Sequence, residues 1–166
     1  MSLDETLFIE NETPWMVFCH EWRQITNGTL ELVELTDDLS DTKGRPETLF
    51  RSTDVPWVHR LKASGGDYDG NITDGPDFFR TKTDRLIMIW SRFSKQGYAL
   101  GQAYSASGRV KKPWKQIASP LFKEDGDHGM IFETFDGELL LALHQPNVYL
   151  KERAHFFQLK EREILG

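Results

Sequence analysis

The 166-residue sequence predicts an all-β fold, built as a single domain over residues 1–166 from repeated groups of short antiparallel strands. Three observations predict this class. Aromatic residues, which favour strands, make up 12% of the chain, the apolar runs are short, and turn-forming residues bound each run. No stretch has the apolar spacing of an amphipathic helix. The length is sufficient to bury a substantial core.

The first repeat is predicted over residues 4–59. Two strands, residues 6–9 and 15–20, flank a turn that contains Glu, Asn and Pro. Residues 30–35 mix apolar and acidic side chains, which predicts a half-exposed strand. Residues 60–76 contain four glycines and three aspartates, so they are predicted to form the loop into the next repeat.

The second repeat, residues 74–124, and the third, residues 128–160, return to the same order of strand, turn and buried strand. Their predicted strands cover residues 78–81, 85–91, 98–104, 130–134, 138–144 and 155–160. The runs 86–90 and 139–143 are continuously apolar, which suits strands buried on both faces. A buried helical segment is the alternative for such runs.

Three phenylalanines mark the repeat. Phe8, Phe79 and Phe132 each precede a turn and a buried strand, at intervals of 71 and 53 residues. Repeats of about 50 residues with several short strands are typical of β-propeller blades, and an irregular β-sandwich is the alternative. In a propeller, polar residues that follow the buried strands converge on one mouth of the central channel, where we expect the functional site.

Composition argues against several classes of function. The formal net charge of −6 argues against nucleic-acid binding, which needs clustered basic residues. No apolar run is long enough for a membrane span, and no basic n-region of a secretory signal begins the chain, so we expect neither. The one cysteine, Cys19, cannot form an intrachain disulfide, and the five histidines lack the spacing of a structural zinc site.

The candidate site residues are the polar side chains at the predicted mouth. They are His20, Glu21, Arg92, His128 and His144. Each also has a structural interpretation, in which its side chain satisfies a hydrogen bond at the end of a strand.

Two carboxylates are candidates for the pair that glycoside hydrolysis needs, in which one carboxyl is held protonated and the other ionised, but the motif around them is weak evidence by itself. Asp4 precedes the first strand, and Asp74 directly precedes the second repeat, although its Asp-Gly-Pro sequence is also a common turn. Trp22, Trp57 and Phe93 are candidates for stacking on a sugar ring, although most of the aromatic residues must lie in the core.

Eight segments carry motifs that occur together in one order. They are 7–22 (LFIENETPWMVFCHEW), 73–76 (TDGP), 89–93 (IWSRF), 98–101 (YALG), 127–132 (DHGMIF), 144–147 (HQPN), 152–153 (ER) and 156–157 (FF). Over nearly the whole chain they resemble glycoside hydrolase family 43, which groups β-xylosidases, arabinanases and arabinofuranosidases on a five-bladed β-propeller. The resemblance implies an incomplete propeller of about three blades of antiparallel strands.

The resemblance also implies roles for particular residues. The family hydrolyses with inversion, using a general base Asp, a pKa-modulating Asp and a general acid Glu. Asp4 resembles the modulating Asp, and Asp74 stands where the acid Glu normally precedes Gly-Pro or Ala-Pro. His128 resembles a histidine near the propeller axis that helps to hold a calcium ion or a water, so a structural calcium is expected there. The resemblance implies no required cofactor. Arg153 resembles a basic substrate contact.

The chain begins at what resembles the third blade, so the resemblance implies that the general base is absent. The expected function is that of a truncated family 43-like glycosidase for plant cell-wall xylan or arabinan, weakly active or inactive alone. The alternative is a non-catalytic carbohydrate-binding or assembly half-propeller, and in either case a homodimer is expected to cover the open blade faces. Family members are often cytoplasmic, periplasmic or secreted in bacteria. Arg92 and Asp127 carry charges where members usually have small residues, so they could pair with each other or crowd the site.

Overall fold

A computed structural model describes residues 2–57, 61–62 and 69–164 of the chain. These residues form three antiparallel sheets of four, four and three strands, together with a two-stranded ribbon. Helix is limited to single turns in these ranges, and none is long and apolar enough to cross a lipid bilayer. The predicted all-β class is therefore confirmed.

Sheet 1 contains the first four strands in sequence order. They are β1 (Ser2–Glu10), β2 (Thr13–His20), β3 (Thr29–Glu34) and β4 (Glu47–Arg51). The short helix α1 (Trp22–Ile25) follows β2, and a 3-10 turn (Ser52–Asp54) follows β4. The ribbon of β5 (Leu61–Lys62) and β6 (Asp69–Gly70) connects this sheet to the next.

Sheets 2 and 3 repeat the antiparallel pattern, each starting from its first strand. Sheet 2 comprises β7 (Asp74–Arg80), β8 (Leu86–Ser94), β9 (Gly97–Ser105) and β10 (Trp114–Gln116). Sheet 3 comprises β11 (Asp127–Glu133), β12 (Leu139–Gln145) and β13 (Arg153–Gln158), and a 3-10 turn (Glu161–Glu163) follows it. The first strands of the three sheets are neighbours, because β7 contacts both β1 and β11.

Strand β8 is the centre of the core. Leu86, Met88 and Trp90 pack with the apolar side chains of sheet 1, whereas Ile87 and Ile89 pack with those of sheet 3. Alternate side chains of a strand point to opposite faces, so a sheet on each side buries the whole run. All five side chains are fully buried, which confirms the prediction for residues 86–90. Each contributes about 1.5–3 kcal/mol of hydrophobic stabilisation.

The prediction of a half-exposed strand over residues 30–35 is wrong. Strand β3 is buried along most of its length, because it lies inside its sheet and sheet 2 packs on one face. Its charged Glu31 is accommodated because the carboxylate accepts hydrogen bonds from the hydroxyls of Thr29 at 2.6 Å and Thr48 at 2.9 Å.

The prediction that residues 139–143 are buried on both faces is also wrong. Leu141 and Leu143 are buried in the core shared with sheet 2, but Leu139 and Leu140 are only half-buried. Sheet 2 covers one face of sheet 3, and no other sheet of the described residues covers the second face.

The loop predicted over residues 60–76 ends earlier than expected. Asp74, Gly75 and Pro76 are the first residues of β7, and residues 60 and 63–68 lie outside the described part of the chain. The repeat limits 4–59, 74–124 and 128–160 stay a prediction.

A candidate carboxylate and histidine site

The first strand of each sheet is interrupted by a β-bulge at an equivalent position. The pairing shifts between Leu3 and Thr6, between Asp74 and Asp77, and between Asp127 and Met130. A bulge re-aims the side chains beside it, and such bulges are frequent near active sites. The residues in the left-handed conformation at the three bulges are Asp4 (φ 55°), Gly75 (φ 48°) and His128 (φ 48°).

The residues before the bulges pair with equivalent positions on the second strand of each sheet. The pairs are Leu3 with Cys19, Asp74 with Ser91, and Asp127 with His144. Their intervals of 71 and 53 residues are those that separate Phe8, Phe79 and Phe132. Sheets 2 and 3 therefore place polar groups where sheet 1 has a leucine and a buried thiol, and sheet 1 contributes Asp4 from the bulge itself.

The surroundings of Asp74 favour the protonated form of its carboxyl. The hydroxyl of the buried Tyr98 donates a hydrogen bond of 2.6 Å to Asp74 Oδ2. The pKa of Asp74 is raised to about 7, chiefly by burial; the negative charges of Asp127 and Asp4 act in the same direction, while the hydrogen bond from Tyr98 opposes the shift. The Phe93 ring packs edge-on against Tyr98 at 4.0 Å between centroids, which holds the phenol in place.

Asp4, the neighbouring carboxylate, is held in the ionised state. His128 Nε2 lies 3.2 Å from Asp4 Oδ1, and the Gly75 backbone N–H donates to Asp4 Oδ2 at 3.2 Å. The hydrogen bond with His128 lowers the pKa of Asp4, against the effect of burial, and a hydrogen bond with the Asp74 side chain lowers it further. The two aspartates thus lie side by side with opposite pKa shifts.

His128 links this pair to a third carboxylate. Its Nδ1 lies 3.2 Å from Oδ1 of the buried Asp127, and its backbone N–H donates to Ser91 Oγ at 3.1 Å. Hydrogen bonds with Asp127 and then Asp4 raise the pKa of His128 to about 10, so the ring is an imidazolium at neutral pH. Gly75 permits this packing, because a Cβ there would lie 3.0 Å from His128.

Asp127, His128 and His144 form the only group of candidate metal ligands found in the described ranges. Their donor atoms lie within 4.8 Å of one another, and His144 Nε2 lies 3.9 Å from Asp127 Oδ2. Calcium takes six to eight oxygen ligands, so here it would need water for most of its shell, whereas imidazole-rich sets suit zinc, copper or nickel. The calcium expected at His128 stays a prediction.

Two predicted site residues have structural contacts. Glu21 is buried and caps α1, because its carboxylate accepts a hydrogen bond from the Arg23 backbone N–H at 3.2 Å. Arg92 is fully buried, donates to the backbone carbonyls of Ser52 and Phe93, and places its guanidinium over the Trp57 ring at 5.6 Å. Asp127 lies within ion-pair distance of two histidines, His128 and His144.

The remaining predicted residues are spread around the site. His20 ends β2 and is half-buried, and Trp22 is half-buried in α1 with the Arg23 guanidinium 5.6 Å from its ring. Arg153 is exposed at the start of β13, and its guanidinium donates to the Glu152 carbonyl. Phe93 and His144 are half-buried beside the centre, and the roles of all these residues stay predictions.

Sequence reasoning missed Tyr98 and Ser91. The sequence predicts Tyr98 only as part of a strand, yet its hydroxyl reaches Asp74 across β8, which separates β9 from β7. No spacing along the chain indicates a contact between strands that are not adjacent. The signal for Ser91 was its place directly after the buried run 86–90.

No protein-family model and no curated protein matches the chain. Solved structures do match. The endo-arabinase from Bacteroides thetaiotaomicron VPI-5482 is 39% identical, with a TM-score of 0.88, over 96% of this chain and 56% of that chain. Two further structures share the fold, and each match covers 96% of this chain and 55% of the other chain. A thermostable family-43 glycoside hydrolase is 18% identical with a TM-score of 0.72. An endo-1,4-beta-xylanase from Bacteroides thetaiotaomicron is 20% identical with a TM-score of 0.68.

These similarities confirm the incomplete β-propeller that the resemblance implied. The chain is similar to part of a glycoside hydrolase family 43 enzyme, as its motifs indicated, and it spans little more than half the length of these structures.

Proposed function

We propose that Asp74 and Asp4 form the acid side of the catalytic centre of a family 43-type glycosidase, with Asp74 as general acid and Asp4 as its modulator. One observation carries the proposal: Asp74 is capped by the Tyr98 hydroxyl and lies beside Asp4, which is held by His128, in a chain 39% identical to an endo-arabinase. The proposed substrates are plant cell-wall polysaccharides of the arabinan or xylan type.

Asp74 suits the acid role because its pKa of about 7 keeps the carboxyl mostly protonated below neutral pH. As the glycosidic C–O bond breaks, the leaving oxygen takes the Asp74 proton, and the electron pair of that bond stays with this oxygen. The Tyr98 hydroxyl then stabilises the carboxylate that remains, through the hydrogen bond it already makes.

Asp4 and His128 tune this acid rather than react. The negative charge of Asp4 raises the pKa of Asp74, and the imidazolium of His128 limits that effect and fixes the position of Asp4. Asp4 is therefore a positioning and modulating residue, in agreement with the role that its motif resembles.

An inverting glycosidase also needs an ionised carboxylate as base, about 6.5–9.5 Å from the acid. The resemblance assigns that base to a first-blade motif, which does not match any segment of these 166 residues. We therefore propose that the 166-residue chain alone hydrolyses arabinan or xylan weakly or not at all. Release of sugar from an aryl arabinoside or aryl xyloside, at a rate abolished by Asp74→Asn, would overturn this expectation.

The role of the site itself is tested by adding arabinotriose or xylotriose to the ¹³C-labelled chain. We expect the carboxyl signals of Asp74 and Asp4 to shift with one binding isotherm, because the sugar displaces solvent from both groups. The exposed Asp136, in a remote turn, is the internal control. Carboxyl signals of Asp74 and Asp4 that do not respond to either sugar would contradict the proposal.

A second candidate function, an assembly half-propeller, is favoured by exposed apolar side chains on the outer faces. Leu7 and Ile9 of β1 are 47% and 55% exposed, and Met130 and Phe156 of sheet 3 are 53% and 63% exposed. Their neighbours along each strand pack into the core, so these four side chains point away from it. Surfaces of this kind favour association.

We propose that the chain forms a homodimer that covers these faces. Light scattering at micromolar concentration is expected to give twice the mass of one chain, and Met130→Glu is expected to lower it. A strictly monomeric chain would overturn the dimer, and glycan binding without turnover would favour a carbohydrate-binding role over assembly.

A further inference from the structure

A cleft of about 430 Å³ lies between sheets 1 and 2. Its walls come from three separate segments: the loop after β4, the turn between β8 and β9, and the loop that leads to β11. The side chains that matter here are Trp57, Ser94, Lys95, Gln96 and Lys123.

The pairing of sheet 1 puts the Trp57 segment at the same end of the sheets as Asp4. Arg51, the last residue of β4, pairs with Thr29, and Thr29 pairs with His20. His20 in turn pairs with Ser2, two residues before Asp4. The loop that follows Arg51 and contains Trp57 therefore leaves the sheet at the end that carries Asp4.

Sheets 2 and 3 place the other walls at this same end. Ser91 of β8 pairs with Asp74, and the strand continues only to Ser94 before the turn that contains Lys95. The loop with Lys123 leads into β11, which begins at the site. Ser94 also adjoins Phe93, whose ring packs on Tyr98, so a short row of side chains separates the cleft from the proposed acid.

Trp57 forms a rigid wall. Its ring packs on Trp90 at 6.2 Å between centroids and against the guanidinium of Arg92 at 5.6 Å. A Cβ at Gly101 would lie 2.9 Å from the Trp57 ring, so the backbone of β9 approaches it closely. A fixed aromatic surface in a cleft is suited to the apolar face of a sugar ring.

Lys95 and Lys123 supply positive charge. Both side chains are exposed, and neither has an ion-pair partner within residues 2–57, 61–62 and 69–164. The nearby Asp125 forms no ion pair with either lysine among the described residues; its carboxylate accepts hydrogen bonds from the backbone N–H groups of Tyr98 at 3.1 Å and Asn147 at 3.2 Å. The lining of the cleft contains no acidic side chain of the described residues.

We propose that this cleft binds a carboxylate-bearing sugar, a uronic acid unit of the polysaccharide, beside the catalytic centre. Trp57 stacks on the sugar ring, and Lys95 and Lys123 pair with its carboxylate. The choice of a saccharide as ligand rests on the proposed function. The cleft would add to that function a preference for polysaccharides that carry a uronic acid, either as a branch or as a neighbouring unit of the chain being hydrolysed.

The test compares trigalacturonate with arabinotriose by calorimetric titration of the full chain at low ionic strength. Trigalacturonate is expected to bind in the cleft, with an affinity that falls as salt is added. The double variant Lys95→Gln/Lys123→Gln is expected to lose about tenfold in affinity for trigalacturonate, as for the loss of two exposed ion pairs. The matched control, Lys115→Gln/Lys151→Gln, removes the same charge elsewhere and is expected to bind as the parent does.

Trp57→Ala, checked for folding by its NMR spectrum, is expected to weaken trigalacturonate binding, and Trp57→Tyr is expected to restore part of it. The inference is overturned if trigalacturonate does not bind, if both double variants bind it equally, or if inorganic phosphate binds as tightly as the uronate. Failure of the proposed function would be seen separately. In that case the carboxyl signals of Asp74 and Asp4 would not respond to arabinotriose or xylotriose, independently of whether trigalacturonate binds in the cleft.

Discussion

Asp4 and Asp74 are the same chemical group at the start of neighbouring strands, yet their surroundings drive their pKa values in opposite directions. Asp4 faces the imidazolium of His128, which stabilises its charge. Asp74 is more deeply enclosed, faces the Tyr98 hydroxyl and lies beside two other carboxylates. The surroundings of each carboxyl, rather than the residue type, therefore decide which aspartate holds a proton.

Replacement of His128 breaks the comparison most strongly. His128→Gln removes the cation between Asp4 and Asp127, so the buried Asp127 loses the nearer of its two imidazole partners. We expect a loss of about 1–3 kcal/mol in the free energy of unfolding at pH 7, measured by urea denaturation. His155→Gln, on the outer strand β13, is the matched control and is expected to change the stability little.

The pH dependence of the parent chain sharpens this prediction. The pKa of His128 is raised in the folded state to about 10, so its stabilising contribution is complete below about pH 6.5 and is lost as the pH rises towards 10. The difference in unfolding free energy between parent and His128→Gln should therefore shrink from pH 6.5 to pH 10. A difference that stays constant over this range would contradict the ion pair.

Tyr98→Phe tests the other aspartate and is expected to have a smaller effect. The Tyr98 hydrogen bond lowers the pKa of Asp74, so its loss should raise that pKa from about 7 by about one unit. The measurement is a ¹³C NMR titration of the Asp74 carboxyl. Tyr104→Phe, on the same strand β9, is the control, and an Asp74 pKa that falls in Tyr98→Phe would be inconsistent with the bond.

Asp4→Asn is expected to give the smallest change. It removes a negative charge that raises the pKa of Asp74, and burial, the main cause of the raised value, remains. The pKa of Asp74 should therefore fall by a fraction of a unit and stay well above the value of about 3.9 for a free aspartate. A return to that ordinary value would show that Asp4, not burial, controls Asp74.

Most of the fold can be predicted from the sequence repeat. Phe8, Phe79 and Phe132 recur at the intervals that also separate the three bulges, so the number of sheets and their order followed from the chain. The solvent exposure of individual strands was predicted less well from the sequence. The acidic Glu31 indicated an open strand face, but two threonine hydroxyls satisfy its carboxylate inside the protein.

The site was predictable in its charged members and not in their connections. Asp4, Asp74 and His128 were singled out by their motifs, and the structure joins them through the His128 ion pair and the Gly75 N–H. The Tyr98 contact crosses an intervening strand, and the left-handed bulges depend on pairing between strands. Neither feature leaves a local pattern in the sequence.

The most direct test is the titration of both carboxyls in one ¹³C NMR experiment on the parent chain. We expect Asp74 to titrate with a midpoint near 7 and Asp4 to titrate below the usual aspartate value of about 3.9. If the two carboxyls titrate as a coupled pair, the signal of Asp74 should show most of its change at the higher of the two midpoints. If both carboxyls titrate at ordinary values, or if Asp4 holds its proton to higher pH than Asp74, the assignment of Asp74 as the acid is wrong.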